Sequence, residues 1–435
     1  MLRLDQISVW KFLADGKLNS ALYTAVESGL DWSLMRFVMS NYKHPLVRGF
    51  ICSRLFYSEK AIGILLDNLQ GKTKEVRRFL LNTRYERETR EFLLKNLSDP
   101  RVQRFLLEIW EEKDISWLVL GNLVPEGYQN FDPEAVQQFV LANLDNESVR
   151  TSVVAHLDVE AVRCLLLDNL LDDETVETFM AECLHEEELQ RFVLDYLKGN
   201  SYDYYDRREY RQSLVVQFLL NNLGVEAVRQ FIIDYLVMEQ FDERCAEKQL
   251  IQQFVLDNIR NESVRQFLLE CLDKKAVQQF VLDNHLANRD IYELVLDNIN
   301  EESVAKFVVD NFDDKDIHCF VNANLYKEAV KVFVVDNLHN SSIARFASGE
   351  IWTLTAVLRD NLDQEHVVKF LIDSVHLPEG EHFVLKHIEH MLPHLKASLK
   401  DTSFASYGPN YLRRSDRVFM FCQKYSGQPS VNQAN

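Results

Sequence analysis

Residues 254–272 read FVLDNIRNESVRQFLLECL, and the stretch contains one phrase twice. Phe254-Val255-Leu256-Asp257-Asn258-Ile259 is answered thirteen residues later by Phe267-Leu268-Leu269-Glu270-Cys271-Leu272. Inside one copy the apolar residues are Val264, Phe267, Leu268, Leu269 and Leu272. Offsets of 0, 3, 4, 5 and 8 are those of one helix face, whereas a strand would alternate with period two. Asp, Glu, Asn and Gln fill the gaps, and strands disfavour them. Each copy is therefore read as a single helix.

Stepping from Phe254 in both directions finds the same anchor along nearly the whole chain. Phe12, Phe37, Phe50, Phe79, Phe92, Phe105, Phe139, Phe179, Phe192, Phe218 and Phe231 precede it; Phe280, Phe307, Phe320, Phe333, Phe346, Phe370 and Phe383 follow. Ala25, Ile64, Leu118, Ser152, Leu165, Leu294 and Val357 fill intermediate steps. Most steps are thirteen, and the total is about 27 units, a self-similarity that marks a repeat architecture. Three steps are longer, around 124–134, 198–212 and 237–249.

The ends of the unit are legible too. Asn258 stands where the helix must stop, as do Asn143, Asn169, Asn222, Asn284, Asn298, Asn311, Asn337 and Asn361. Asn tolerates the left-handed conformation that ends many helices, and the apolar residue after it then packs back onto the anchor. Asp31, Asp145, Asp158, Asp273, Asp313 and Asp363 follow as N-caps. The expected unit is a ten-residue helix and a three-residue corner, with no rod longer than about three turns. Such a helix is marginal alone in water, so stability must come from stacked neighbours.

The fold class expected is all-α, a solenoid of short helices closed by a C-terminal helical cap. In architecture this resembles the α-solenoid class of HEAT and TPR arrays over residues 1 to about 390, without TPR or ankyrin signature residues. The resemblance implies scaffolding, with ligands held on a long curved surface. The segments expected are weakly basic repeats over 1–123, central repeats over 135–236, acidic repeats over 250–390, a helical cap over 391–426 and a disordered tail over 427–435.

Composition agrees with helix, since Gly and Pro number only 13 and 8. Seven dispersed Cys without a CxxC pair point to free thiols in a reducing, cytoplasmic compartment. No apolar run is long enough to span a membrane. The net charge of −19 is uneven: residues 1–130 carry 19 Lys and Arg against 16 Asp and Glu, and the remainder 29 against 51. An acidic body disfavours nucleic acid and favours basic partners.

Several features are candidate sites. Asp257, Asp283, Asp297, Asp310 and Asp336 recur at the last helical position, where a carboxylate opposes the helix dipole. Each either caps a neighbouring helix or contributes to a negative stripe that holds a basic protein or peptide. Polar pairs such as Gln252-Gln253 and Gln278-Gln279 either line a groove or face solvent. Tyr202, Tyr204, Tyr205 and Tyr210 sit in the second insertion, a loop composition suited to protein contact. Lys72, Lys74, Arg77, Arg78, Arg87 and Arg90, within the basic stretch 72–104, are the phosphate or nucleic-acid alternative, weakened by interleaved Glu. His387, His390 and His394 are weak metal candidates.

No GxSxG, P-loop, GxGxxG or HExxH is present, and no cofactor is implied. The leading function is a non-enzymatic interaction scaffold. Nucleic-acid association through 72–104, or an enzyme site in the concave surface, are the alternatives.

Overall fold

A computed structural model describes residues 31–44, 47–48, 51, 55–69, 74–123, 132–198, 205–236, 245–284, 288–387 and 390–391. Among them it is all-helical, with twenty-four α-helices, a short 3-10 turn at Leu55–Tyr57, and no strand. In chain order the helices are α1 Trp32–Ser40, α2 Glu59–Leu69, α3 Glu75–Asn82, α4 Arg87–Lys95, α5 Pro100–Glu108, α6 Lys113–Leu120, α7 Pro133–Leu141 and α8 Glu147–Ala155. Then come α9 Glu160–Asn169, α10 Glu174–Glu182, α11 Glu187–Leu197, α12 Tyr205–Asn221, α13 Glu226–Leu236, α14 Cys245–Asp257, α15 Glu262–Glu270 and α16 Lys275–Asn284. The last are α17 Arg289–Asp297, α18 Glu302–Asp310, α19 Lys315–Asn324, α20 Glu328–Asp336, α21 Ser341–Gly349, α22 Ile351–Asp360, α23 Glu365–Asp373 and α24 Pro378–Lys386. One helix per thirteen residues is the rule the sequence predicts.

The helix end differs from the expectation in its geometry. Asn311 has φ −108° and ψ 16°, and Asn298 and Asn337 lie within a few degrees of it. This is the bridge region, not the left-handed one. Cys271, with φ −99° and ψ 10°, takes nearly the same conformation, so nothing about the backbone demands Asn. The side chain does. Asn311 Nδ2 donates to the carbonyl of Phe307 at 2.8 Å, and the Asn311 backbone N–H donates to the same oxygen at 3.1 Å. The amide bond back to the anchor carbonyl recurs in fourteen units, at 2.6–2.9 Å. It satisfies acceptor capacity that a helix C-terminus otherwise leaves open.

From that Asn the chain makes a tight turn. Its own carbonyl accepts the N–H three residues on: Asn261 to Asn258 at 2.8 Å, Asp314 to Asn311 at 2.9 Å, Asn340 to Asn337 at 2.9 Å. The residue reached is the N-cap, so the corner has four residues and the helix usually nine. The caps consequently fall one position later than expected in four units. Asn146, Val159, Asp314 and Gln364 hold the place, not Asp145, Asp158, Asp313 and Asp363. Lys274, immediately before α16, replaces Asp273 in the same way. Asp31 is confirmed, its Oδ1 accepting from the Leu34 N–H.

Two helices exceed three turns. α12 has 17 residues and α14 has 13. From Tyr205 and from Cys245 onward the inserted sequence contains no Gly or Pro to stop a helix, so this part of it is wound onto the N-terminus of the following helix. The expected loop 198–212 is thus helical from Tyr205 onward. The two helices that precede these insertions run to 11 residues, and in both a Tyr stands where Asn is usual. Tyr196 and Tyr235 are buried, and each of these helices continues for another two residues, as α2 does through Asn68 to Leu69, whereas α15 stops before Cys271 without an amide. The cap over 391–426, apart from Met391, and the tail 427–435 lie outside the described residues.

The described residues fall into two compact units, the first ending at Phe231 and the second beginning at Ile232. Within each unit, helices two or three repeats apart lie against each other, as a solenoid-type repeat requires. In the first, α2 meets α5 and α8 meets α11; in the second, α15 meets α18, α20 meets α22 and α22 meets α24. The core is the same set of positions in every repeat. Val264, Phe267, Leu268 and Leu272 are all buried, and so are Val304, Phe307, Val308 and Phe312. Burial of each large side chain is worth roughly 1.5–3 kcal/mol, a gain that exists only when neighbours are present. At α24, an added Cβ at Gly380 would collide with the backbone carbonyl of Ser374, so that close approach requires glycine.

Asn311→Ala, which deletes the amide bond, is expected to cost about 1 kcal/mol in urea unfolding. Asn311→Gly separates the two geometries. A left-handed helix end would tolerate or favour Gly, whereas the observed negative φ makes Gly at least as damaging as Ala.

Candidate functional site

In many repeats the polar pair before the anchor makes local bonds, though the Arg265 and Gln278 side chains have none among the described residues. Where it bonds, the first member of the pair reaches back to the preceding corner and donates to the carbonyl of the buried apolar residue there. Arg150 Nε does so to Leu144 at 2.6 Å, Arg229 Nε to Leu223 at 2.8 Å, and Gln252 Nε2 to Leu236 at 2.9 Å. The second member donates along its own helix to the acidic residue at the end. Gln253 bonds Asp257 at 2.6 Å, Gln266 bonds Glu270 at 2.7 Å, and Gln279 bonds Asp283 at 2.8 Å.

The acidic row itself is exposed. Asp257, Asp283, Asp297, Asp310 and Asp336 all face solvent. Among the hydrogen bonds of the described residues none of them receives an N–H from another helix start, so the capping expectation is overturned. The caps are local: Asn261, Asn288, Asp314 and Asn340 each accept from N–H groups of their own first turn. Glu262, Glu302 and Glu328 place negative charge in the first turn, where the dipole favours it. The row carries the opposite, unfavourable sense.

What surrounds the row differs along the chain: Asp168 in the first unit has no partner among the described residues, and Asp360 in the second is paired with Arg359 at 2.8 Å. Elsewhere in the first unit, an Arg two residues before an anchor bridges to the row acid two repeats later. Arg77 pairs with Glu108, Arg150 with Glu182 at 2.9 Å, and Arg163 with Asp195 at 3.2 Å. Arg163 also lies over the Tyr196 ring, 5.1 Å from its centre. In the second unit the corresponding places before Asp310 and Asp336 hold Gln278 and Ala305. Arg265 holds the place for Asp297 without bonding to it. Among the described residues Asp297, Asp310 and Asp336 have no hydrogen-bond or ion-pair partner.

The basic stretch is largely neutralised from within. Arg77 is paired, Arg87 bonds Glu91 at 2.7 Å, and Arg90 Nε donates to the Arg84 carbonyl at 3.1 Å. Arg101 is held by Asp99 at 2.7 Å and Asp67 at 2.8 Å. The Arg101 hydrogen bond keeps the Asp99 carboxyl below its ordinary range, and burial opposes this only in part. Lys74 and Arg78 remain exposed, while Lys72 lies outside the described residues.

Tyr202 and Tyr204 also lie outside them. Tyr205 opens α12, and Tyr210 is well exposed on that helix. His387 packs on Phe383 with ring centres 4.7 Å apart. Burial, with Lys386, Arg359 and His390 nearby, lowers its basicity. His394 is outside the described residues, and among those described no group of three metal-ligating side chains comes together. Nor is any described helix long and apolar enough to cross a membrane.

Two exposed aromatics in the second unit, Tyr326 and Trp352, had a signal in the sequence that the periodic reading passed over. Tyr326 is six past its anchor and Trp352 five before, positions where other repeats carry polar residues. No family model matches the chain, and no curated protein is significantly similar to it.

Two substitutions test the charge geometry. Asp310→Asn, which removes an unpaired carboxylate from a helix C-terminus, is expected to raise the urea midpoint. A double-mutant cycle on Arg163 and Asp195 is expected to give a coupling of about 1 kcal/mol or less that shrinks with added salt.

Proposed function

We propose that the protein is a non-enzymatic interaction scaffold whose second unit holds a protein segment rich in Lys and Arg. The observation that carries this reading is that Asp310 and Asp336 stand exposed at helix ends with no partner among the described residues. The chain supplies its own arginines to Glu108, Glu182 and Asp195, and supplies none to Asp310 and Asp336. Carboxylates kept at helix ends, against the dipole and without an internal partner, cost stability and gain only if a cation comes from outside. The repeat supports it mechanically, because a stacked array presents the same position again and again on rigid helices. A segment with several cations meets several acids at once, each contact worth only about 1 kcal/mol in water but additive along the array. The free thiols of Cys164, Cys183, Cys271 and Cys319 are in keeping with an intracellular setting.

The test is titration of the full chain with fluorescent Arg- and Lys-rich peptides, an acidic peptide and a single-stranded RNA. Only the cationic peptides are expected to bind, with affinity falling as salt rises. Asp310→Asn with Asp336→Asn is expected to weaken binding by about threefold or more. Glu108→Gln with Glu182→Gln, which removes acids already paired, should leave it unchanged. Preferential capture of RNA, or equal loss in both double variants, would sink the reading.

A further inference from the structure

The first unit shows how this chain uses an exposed aromatic ring beside an acid. Tyr57 donates its hydroxyl to Glu91 at 3.3 Å, and the Lys95 ammonium lies over its ring, 5.5 Å from the centre. Arg84 Nη2 donates to the Tyr85 hydroxyl at 3.0 Å. The Arg84 guanidinium sits 4.5 Å from the Tyr85 ring centre and is itself paired with Glu112 at 3.4 Å. Each is a triad of ring, carboxylate and cation, in which the ring quadrupole and the acid attract the same positive group.

The second unit repeats two members of that triad and omits the third. Trp352 is 57% exposed and Tyr326 73%, and they are the only large apolar side chains so exposed among its described residues. Glu350 lies two residues before Trp352, and its Oε2 accepts from Thr353 Oγ1 at 3.1 Å. His382, which meets the Trp352 ring at 4.9 Å, is preceded by the exposed Glu381. Tyr326 belongs to the same neighbourhood by register. Arg260, six past its anchor, bonds Asp290, four before the anchor three repeats on, at 3.1 Å, and the same register relates a corner residue to that position elsewhere. For Tyr326 that residue is Thr353, next to Trp352 in the chain. No Lys or Arg among the described residues covers either ring. Trp117 and Tyr210, in the first unit, are also exposed with no Lys or Arg over the ring among the described side chains.

We propose that Trp352 and Tyr326 form the anchor point of the second unit for an Arg-bearing protein segment, whose guanidinium takes the place that Lys95 and Arg84 occupy on Tyr57 and Tyr85. This rests on the scaffold reading above and adds to it where the partner is gripped. Aromatic rings carry much of the energy at protein interfaces, and peripheral charges chiefly steer approach. A planar guanidinium stacks on indole better than an ammonium does, so Arg is preferred over Lys.

The experiment uses the full chain and three fluorescent probes: an Arg-Gly-Ser repeat peptide, its Lys analogue, and its citrulline analogue, which keeps the shape without the charge. The Arg probe is expected to bind best and to perturb Trp fluorescence. Trp352→Ala should weaken it by about tenfold, Trp352→Phe by less, and Tyr326→Ala by a few fold. Trp117→Ala, an equally exposed control, should have no effect, and the helical circular dichroism should be that of the unaltered chain in every variant. If both Ala variants bind the Arg probe as tightly as the unaltered chain while Asp310→Asn with Asp336→Asn does not, the anchor is refuted and the scaffold reading stands. Binding of the citrulline probe as tight as the Arg probe also refutes it. If no cationic probe binds the unaltered chain, both readings fall together.

Discussion

One carbonyl oxygen organises each repeat. The anchor residue buries its side chain in the core and turns its C=O toward the end of its own helix. In fourteen units that oxygen is met by the amide of the Asn four residues on, and in many of them by the Asn backbone N–H as well. The helix therefore stops at a fixed distance from its deepest side chain. From there the corner turn delivers the next N-cap, and the following anchor returns to the core after thirteen residues. At Tyr196 and Tyr235 no amide is present, the helix runs two residues further and the spacing breaks; at Cys271 none is present and the helix stops as usual. The same interaction thus accompanies the regularity of the array.

A repeat so constrained leaves few positions free to vary. Four are buried, two or three are tied to the backbone of the corners, and the rest face water. Charge placed on the free positions is the chain's remaining variable, and it is used differently along the chain. In the first unit, arginines tie helices two repeats apart and neutralise Glu108, Glu182 and Asp195. In the second, Asp297, Asp310 and Asp336 have no partner among the described residues, although Asp360 is paired with Arg359. Exposed ion pairs are weak one at a time, so the difference matters less for stability than for what the surface offers to a partner.

The helical character, the period, the anchors and the corner Asn were all legible in the chain. Each is written in local sequence: apolar spacing for the face, and a short polar side chain for the stop. The reading went astray where the same residue can act in two ways. Asn ends helices by adopting a left-handed backbone or by hydrogen bonding through its amide, and both leave the same letter in the same place. Choosing the first shortened the corner by one residue and moved the caps from Asn146 and Asp314 to Asp145 and Asp313. Likewise, the Tyr-rich insertion resembled a loop because it breaks the period, yet from Tyr205 onward, past Gly199, it holds no Gly or Pro and is wound onto α12.

Sequence alone determined that this is an all-α array of one short helix per thirteen residues, because helix initiation, burial and termination are governed by neighbours within a few residues. It could not determine which charges meet. Arg163 and Asp195 are 32 residues apart, and their pairing depends on how the intervening helices stack. The same holds for the ring of Tyr57 under Lys95, and for the lack of any such cover on Trp352. Availability of a charge or a ring is a relation between distant repeats, and only the packed structure brings those repeats together.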